Sequence, residues 1–383
     1  MKILLVHNLY HYRGGEETYF DSLAHLLLEN KHTVTKYTKD SRIIPRSLWE
    51  RCNIAVNLFW NPQLSNKLEA AIQKYSPDVA HIQNIYPLIT PTVYFELKKN
   101  NIPIVQTIHN YRFFCPKGTL FRDGNICELC IRHPFPYPSI LHGCYQSSRM
   151  ASLVMSGSMY WNNKNIFDLI DHFIFPSSFT HKYYIQRIPT IKHKSSVLPY
   201  FVLDKKKAQS QEQYFLYIGR LSEEKGIKEL LDIFSELKQI PIIIIGDGPL
   251  SSVLQKKYHK FQNIQFLGRK SSYEISNYIR SAKCLIISSK WFEVLPLVYL
   301  EALSCGKPVL APDTDIFVRT IEKNKLFYYP FNNFNALKKQ VVKIDSMVDF
   351  SSFKFYDEYK AHFTPEKHYR TLMKIYAHVT KNN

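Results

Sequence analysis

Short apolar runs alternate with amphipathic stretches through the first half of the chain, the pattern of a parallel sheet wrapped by helices. Lys2 to Val6 is strand-like. Arg13-Gly14-Gly15-Glu16-Glu17 supplies a glycine turn entering a helix, along which Tyr19, Leu23, Leu26 and Leu27 recur at helical spacing. Thr33 to Tyr37, Pro77 to Ile82 and Ile102 to His109 read as further strands, and Phe173 to Phe175 as the last of this half.

The polar stretch from Asp204 to Gln213, with Lys205-Lys206-Lys207, has linker composition, and after it the pattern restarts. Tyr214 to Gly219 predicts a strand, Lys225 to Leu237 a helix, and Ile240 to Gly246 a strand ending in Gly246-Asp247-Gly248-Pro249. Short strands follow at Ile264 to Gly268, Lys283 to Ser288 and Lys307 to Ala311. Thr364-Pro365-Glu366 opens a capped helix with proline at its first position. The expected organisation is an α/β domain over 1–203 with a cysteine-containing insert at about 111–150. A linker over 204–213 leads to a second α/β domain over 214–363, and a terminal helix over 364–383 returns to brace the first. Two such halves predict a ligand in the cleft between them, because open parallel sheets bind at the carboxyl ends of their strands.

Composition changes this picture little. At 383 residues two domains are the natural division. No apolar run reaches the roughly 18 residues of a membrane helix, and the N-terminus turns polar too soon for a signal peptide, so a cytosolic protein is expected. The formal charge of +18 favours anionic partners. No zinc-finger spacing, RNP1-like run or long basic block points to nucleic acid, which leaves phosphorylated small molecules or an anionic membrane surface.

The most specific run is Trp291 to Leu303. Pro296 stands where a helix begins, so the amides around Val294, Leu295, Leu297 and Val298 face outward from a positive helix end, an arrangement suited to a diphosphate. Glu293 precedes that helix and Glu301 lies a turn inside it, where a carboxylate can accept hydrogen bonds from ribose hydroxyls.

Glu293 to Glu301, followed by Ala302-Leu303-Ser304-Cys305-Gly306-Lys307-Pro308-Val309, resembles the E-x7-E signature of the family 4 retaining glycosyltransferases. Gly219-Arg220-Leu221-Ser222-Glu223-Glu224-Lys225-Gly226 is similar to that family's G-R-x-x-x-E-K-G segment. Gly246-Asp247-Gly248-Pro249 and Phe266-Leu267-Gly268-Arg269 follow the pattern in order, as do Gly14-Gly15-Glu16, the strand containing His81, and Thr107-Ile108-His109-Asn110. The resemblance covers nearly the whole chain and implies a GT-B fold: two Rossmann-like, doubly wound domains with an interdomain cleft. It implies that Arg220 and Lys225 hold the donor diphosphate, which gains charge as the glycosidic bond breaks. It places Glu301 on the ribose, Glu293 on the hydroxyls of the transferred sugar, and Gly219, Gly246, Asp247, Gly268 and Arg269 around the donor. Gly14 and Gly15 let backbone approach phosphate or acceptor, and His109 lies near the reacting centre, with a satisfied core histidine as the other reading. One departure stands out: the glycine-containing loop after the first glutamate is here Val294-Leu295-Pro296.

The implied reaction is transfer of a sugar, with retention, from a nucleotide-sugar donor to a glycan or lipid-linked acceptor in surface polysaccharide biosynthesis. No cofactor is required for catalysis. Asp313-Thr314-Asp315 resembles a metal-binding D-x-D but follows a strand where this family needs no metal, so it reads as a loop. Cys115, Cys127, Cys130 and Cys144 cluster in the insert with one C-x-x-C pair among them, and three readings stay open: structural zinc, reduced packing cysteines, or redox chemistry. Arg149, Trp161, Lys164 and neighbouring aromatics fit either interdomain packing or contact with the inner face of the cytoplasmic membrane. The rival functions are a non-catalytic nucleotide-sugar-binding protein of the same fold and a dinucleotide-dependent oxidoreductase. The second lacks its G-x-G-x-x-G in either half.

Overall fold

A computed structural model describes residues 1–10, 14–43, 48–205, 214–317, 327–348, 350 and 353–381. The chain divides into two units. The first comprises Met1–Arg122, Cys127–Pro199 and Glu366–Asn383, and the second Asp123–Ile126 and Tyr200–Pro365. Most of the linker read from the sequence, 206–213, lies outside the described residues.

The first unit is built on six parallel strands in the order β2-β1-β3-β4-β7-β8. These are β1 (Lys2–Leu9), β2 (Thr33–Asp40), β3 (Val79–Asn84), β4 (Ile104–Thr107), β7 (His172–Phe175) and β8 (Ser195–Val197). A hairpin of β5 (Phe121–Arg122) and β6 (Asn125–Ile126) stands in the cysteine-bearing insert. The central strands are buried because helices cover both faces of a parallel sheet; β3 is buried along its whole length, its polar His81, Gln83 and Asn84 included. The strand at Phe173 is not the last of this half: β8 pairs beyond it, a three-residue edge of Ser195, Ser196 and Val197 that carries no apolar run to announce it.

Helix Gly15–Glu29 buries Tyr19, Phe20, Leu23, Leu26 and Leu27. Helix Pro365–Lys381 belongs to the first unit and is fixed there by buried polar pairs. Tyr376 Oη lies 2.7 Å from His81 Nδ1, His368 Nε2 lies 3.1 Å from Tyr19 Oη, and His368 Nδ1 lies 2.8 Å from the Pro199 carbonyl.

The second unit repeats the plan with the order β11-β10-β9-β12-β13-β14, again parallel. Its strands are β9 (Phe215–Ile218), β10 (Ile242–Ile245), β11 (Ile264–Gly268), β12 (Cys284–Ile286), β13 (Val309–Asp313) and β14 (Tyr328–Pro330). The edge strand β14 is an addition to the sequence reading, and Asp313 is the last residue of β13 rather than part of a loop. In each sheet the chain reverses its winding beside the first strand, between β1 and β3 and between β9 and β12. Such a switch point opens a crevice at the carboxyl ends of the strands.

Candidate active site

In the second unit, the segments at the carboxyl ends of β9, β10 and β11 lie against one another through glycine. A Cβ on Gly246 (φ +139°) would fall 1.9 Å from the Gly219 carbonyl oxygen, and one on Gly248 would fall 2.6–2.9 Å from the backbone of Leu221. The Gly246 amide donates to Gly268 O at 2.8 Å, and the Leu221 amide to Asp247 O at 3.0 Å. Gly219, Gly246 and Gly268 are thereby brought together. Asp247 accepts from Ser251 Oγ and the Gly248 amide, which hold its carboxyl below the usual range, and it pairs with Arg269 at 3.3 Å. Arg220 is exposed, and its carbonyl accepts from Tyr217 Oη at 2.9 Å.

Across the switch point, Lys225 ends a 3-10 turn and is set by the loop after β12. Ser288 Oγ donates to Lys225 O at 2.7 Å, and the following Gly226 (φ +63°) comes so close that a Cβ would fall 2.0 Å from Ser288 O. Lys225 Nζ donates to Glu293 Oε1 at 2.6 Å and lies 5.3 Å from the Trp291 ring centroid. Ser289 Oγ donates to the same carboxylate oxygen. Glu293 is 6% exposed, so its charge is compensated by one cation and one hydroxyl.

Helix Leu297–Ser304 follows, with Pro296 as its non-helical flanking residue (φ −70°, ψ 126°). The first amides of any helix have no intrahelical acceptor and carry partial positive charge. Val294 and Leu295 bury their side chains, so the apolar replacements for the family's glycines face the core. Glu301 lies inside this helix, half-buried, and pairs with Lys205 at 3.0 Å.

In the first unit, Gly14 flanks the start of helix Gly15–Glu29, and its amide donates to Glu17 Oε2 at 2.7 Å while the Tyr10 amide donates to Glu17 Oε1 at 2.8 Å. Gly14 and Gly15 are exposed, and a Cβ on Gly14 would meet only Glu17 Oε2 at an ordinary 3.6 Å. Beside them Asn110 Nδ2 donates to Glu16 Oε1 at 3.2 Å, and burial pushes the Glu16 carboxyl up to about 7. The His109 ring is buried and bonded to Gln83 Oε1, with its pKa held well below the ordinary value by burial. His81 has both ring nitrogens satisfied, by Tyr376 and Thr107.

The zinc reading of the insert is not supported. Among the described residues no group of three or more His, Cys, Asp or Glu side chains is placed to hold a metal ion. Cys115, Cys127, Cys130 and Cys144 are free thiols, three of them half-buried and Cys115 buried. Burial, then the neighbouring Cys115, raises Cys130 to about 12. The insert's polar order comes instead from Glu128, which accepts from Tyr183 at 2.6 Å and Arg187 at 2.9 Å.

Three contacts escape the sequence reading. Glu17 stands three residues after Gly14, the spacing of a capping box, and that signal was available. Ser289 and Lys205 carry none: one is a serine after a strand, the other a lysine in a stretch of linker composition.

The model for Glycosyltransferase Family 4 matches residues 13–202, and that for Glycosyl transferases group 1 matches residues 202–346. An uncharacterized 42.6 kDa protein in the cps region of Klebsiella pneumoniae is 25% identical over 343 residues, covering 81% of this chain and 84% of that protein. Sucrose-phosphate synthase from Thermosynechococcus elongatus has the same fold, with a TM-score of 0.71 at 16% identity over the whole of both chains. Anabaena Alr3699/HepE, in complex with UDP-glucose, follows at a TM-score of 0.64 and 15% identity over 98% of each chain. No helix among the described residues is long and apolar enough to cross a membrane. With two family models running consecutively from residue 13 to residue 346 over two switch-point sheets, the chain belongs to the family 4 glycosyltransferases of GT-B-like fold, enzymes that use nucleotide sugars.

Proposed function

We propose that the chain transfers a hexose-like sugar, with retention of anomeric configuration, from a uridine-diphosphate donor to a hydroxyl of a growing surface polysaccharide or lipid-linked glycan. The observation that carries this reading is the second unit's switch point, where Gly219-Arg220, Lys225, Glu293 and the start of helix Leu297–Ser304 follow β9 and β12. Arg220, Lys225 and the amides of Val294, Leu295 and Leu297, on either side of Pro296, take the diphosphate. Glu301 takes the ribose, Glu293 the hydroxyls of the transferred sugar, and Gly246, Asp247, Gly268 and Arg269 surround the rest of the donor. The acceptor side falls to 1–203, where Gly14, Gly15 and His109 are the residues assigned to it. The buried, bonded ring of His109 favours its backbone over its imidazole for that task. The uridine donor is suggested by the UDP-glucose held by the Anabaena protein, and the surface-glycan acceptor by the cps-region relative.

In the reaction the bond between the anomeric carbon and the diphosphate oxygen breaks and a bond to the acceptor oxygen forms. The acceptor proton passes to the departing phosphate. The fixed cations stabilise the charge that gathers on that leaving group and do electrostatically what a metal does elsewhere. The enzyme works at the inner face of the cytoplasmic membrane, where lipid-linked acceptors are presented. A radiolabelled donor-hydrolysis screen tests the proposal: slow release of sugar from one nucleotide sugar supports it, and binding without any release marks a non-catalytic binder.

A further inference from the structure

Helix Arg149–Leu169 is inverted relative to an ordinary surface helix. Its buried face carries Ser152, Ser156, Ser158 and Asn162 among its apolar residues, and these polar groups are satisfied within the first unit. Ser156 Oγ lies 2.7 Å from Ser139 Oγ, Ser158 Oγ donates to Leu58 O at 2.6 Å, and Asn162 Nδ2 donates to Ser158 O at 2.9 Å. Its outer face presents Met150, Leu153, Tyr160 and Trp161, of which Met150 is 69% and Trp161 68% exposed. An apolar outward stripe on a helix that spends serines inward is not explained by the fold of the unit.

Beside Trp161 an open groove of about 510 Å³ runs between Phe59, Trp60, Phe95 and the amides of Asn162 and Asn165. Trp60 and Phe95 meet edge to face at 5.9 Å, so the walls are aromatic and fixed. Charge marks the same face. No acidic residue occurs between Glu128 and Asp168, or between Glu50 and Glu69, and the third stretch that builds it, around Phe95, carries Glu96 buried and bonded to Ser65 Oγ. Arg149 and Lys164, on the same helix, are exposed, and Lys164 Nζ lies 4.6 Å from the Tyr160 ring centroid. Tryptophan, tyrosine and snorkelling cations around exposed aliphatics are the chemistry of a bilayer interface with anionic headgroups.

We propose that this face is a docking surface for an anionic lipid bilayer, with the groove between Trp60 and Trp161 receiving a hydrocarbon chain of one of its lipids. The inference gives a surface to the peripheral location proposed above and is independent of donor chemistry. It is tested by sedimenting the full chain with vesicles of phosphatidylcholine, alone or with about a third phosphatidylglycerol, at low salt and at about 1 M, where screening shortens to about 3 Å. Binding is expected on the anionic vesicles at low salt, with an approximately tenfold loss in a Leu153→Asp, Trp161→Asp variant and a smaller one in Lys164→Glu. Both aspartates replace exposed side chains, and unchanged cooperative thermal unfolding checks that the variant folds. Brominated acyl chains give a second reading on the wild-type fold: they should quench tryptophan fluorescence in wild type and less in Trp161→Phe. Three results would overturn the proposal: no binding of wild type to anionic vesicles, equal binding by the double variant, or a dimer that the double variant dissociates without any vesicle binding. Donor hydrolysis without vesicles is unaffected by any of these, so failure of the docking surface and failure of the transferase reading are separate results.

Discussion

Lys225 and Glu293, assigned to opposite ends of the scissile bond, are bonded to each other at 2.6 Å. The carboxylate is nearly buried and shares its oxygen with Ser289, so the pair is structural before donor arrives. Removing the lysine alone strands a buried charge, a loss of about 3 kcal/mol in comparable pairs. Lys225→Ala is therefore expected to lower Tm and also reduce turnover by about 10²-fold or more. Adding Glu293→Gln should restore Tm while turnover stays low. Arg220 is exposed, and Arg220→Ala should reduce turnover by about the same factor with a smaller change in Tm than Lys225→Ala. Thermal melts with donor-saturated kinetics separate the two effects, and wild-type turnover in both variants would remove the diphosphate assignment.

The two glutamates are expected to differ kinetically. Glu301, on a part of the donor that does not change in the reaction, should act equally in ground and transition states. Glu301→Ala should raise the donor KM and leave kcat within a few-fold. Glu293→Gln keeps shape but loses the charge facing a sugar that becomes cationic, so kcat should fall more than KM rises. A full donor titration at saturating acceptor reads both, and the reverse pattern would exchange the two roles.

The glycines give a stability test that needs no substrate. Gly246→Ala forces a Cβ to 1.9 Å from Gly219 O in a left-handed backbone, whereas Gly268 (φ +65°) has nothing within 4 Å of a Cβ. Urea unfolding should show a loss of roughly 4 kcal/mol or more for Gly246→Ala. Gly268→Ala should lose about 1 kcal/mol, the conformational cost alone. Equal losses would mean that β9 and β10 do not meet through those glycines.

The strongly apolar strands were legible from period and punctuation, because a parallel sheet buried on both faces writes itself in runs such as Ile3-Leu4-Leu5-Val6 and Ile242 to Ile245, whereas their order in each sheet was not. Two of the four edge strands were not: Ser195-Ser196-Val197 and Tyr328-Tyr329-Pro330 are three residues each, and their pairing is decided by the neighbour rather than by their own pattern. The family motifs located Lys225, Glu293 and Glu301, but no motif records that Lys205 faces Glu301 across 96 positions of sequence. The cysteines misled for the opposite reason. Clustering in sequence suggests ligation, yet metal geometry needs converging thiolates, and the described residues provide none.

Acid should weaken the fold. Burial lowers His7, His172 and His368 from 6.5 to about 4, so each is neutral when folded and protonates more readily when unfolded. Their contribution is fully present above pH 6.5 and is lost as pH falls from 6.5 toward 4, at up to about 1.4 kcal/mol per pH unit for each histidine. Glu16, raised to about 7, acts in the other sense and costs stability as pH rises from 4.5 to 7. Urea midpoints measured from pH 7.5 down to pH 4.5 should fall, and less steeply in His7→Phe, which replaces a ring stacked on Phe20 at 4.9 Å. Flat midpoints would contradict the burial of these rings.

The central claim is that cations and helix amides of the second unit hold a nucleoside diphosphate without a metal. Calorimetric titration of UDP and UDP-glucose into the protein in EDTA tests it directly, with Arg220→Ala and Glu301→Ala alongside. The account predicts saturable binding in EDTA, weakened about tenfold or more in each variant, a change of about 1.4 kcal/mol. Binding that needs added divalent metal, or that is equally strong in both variants, would contradict it.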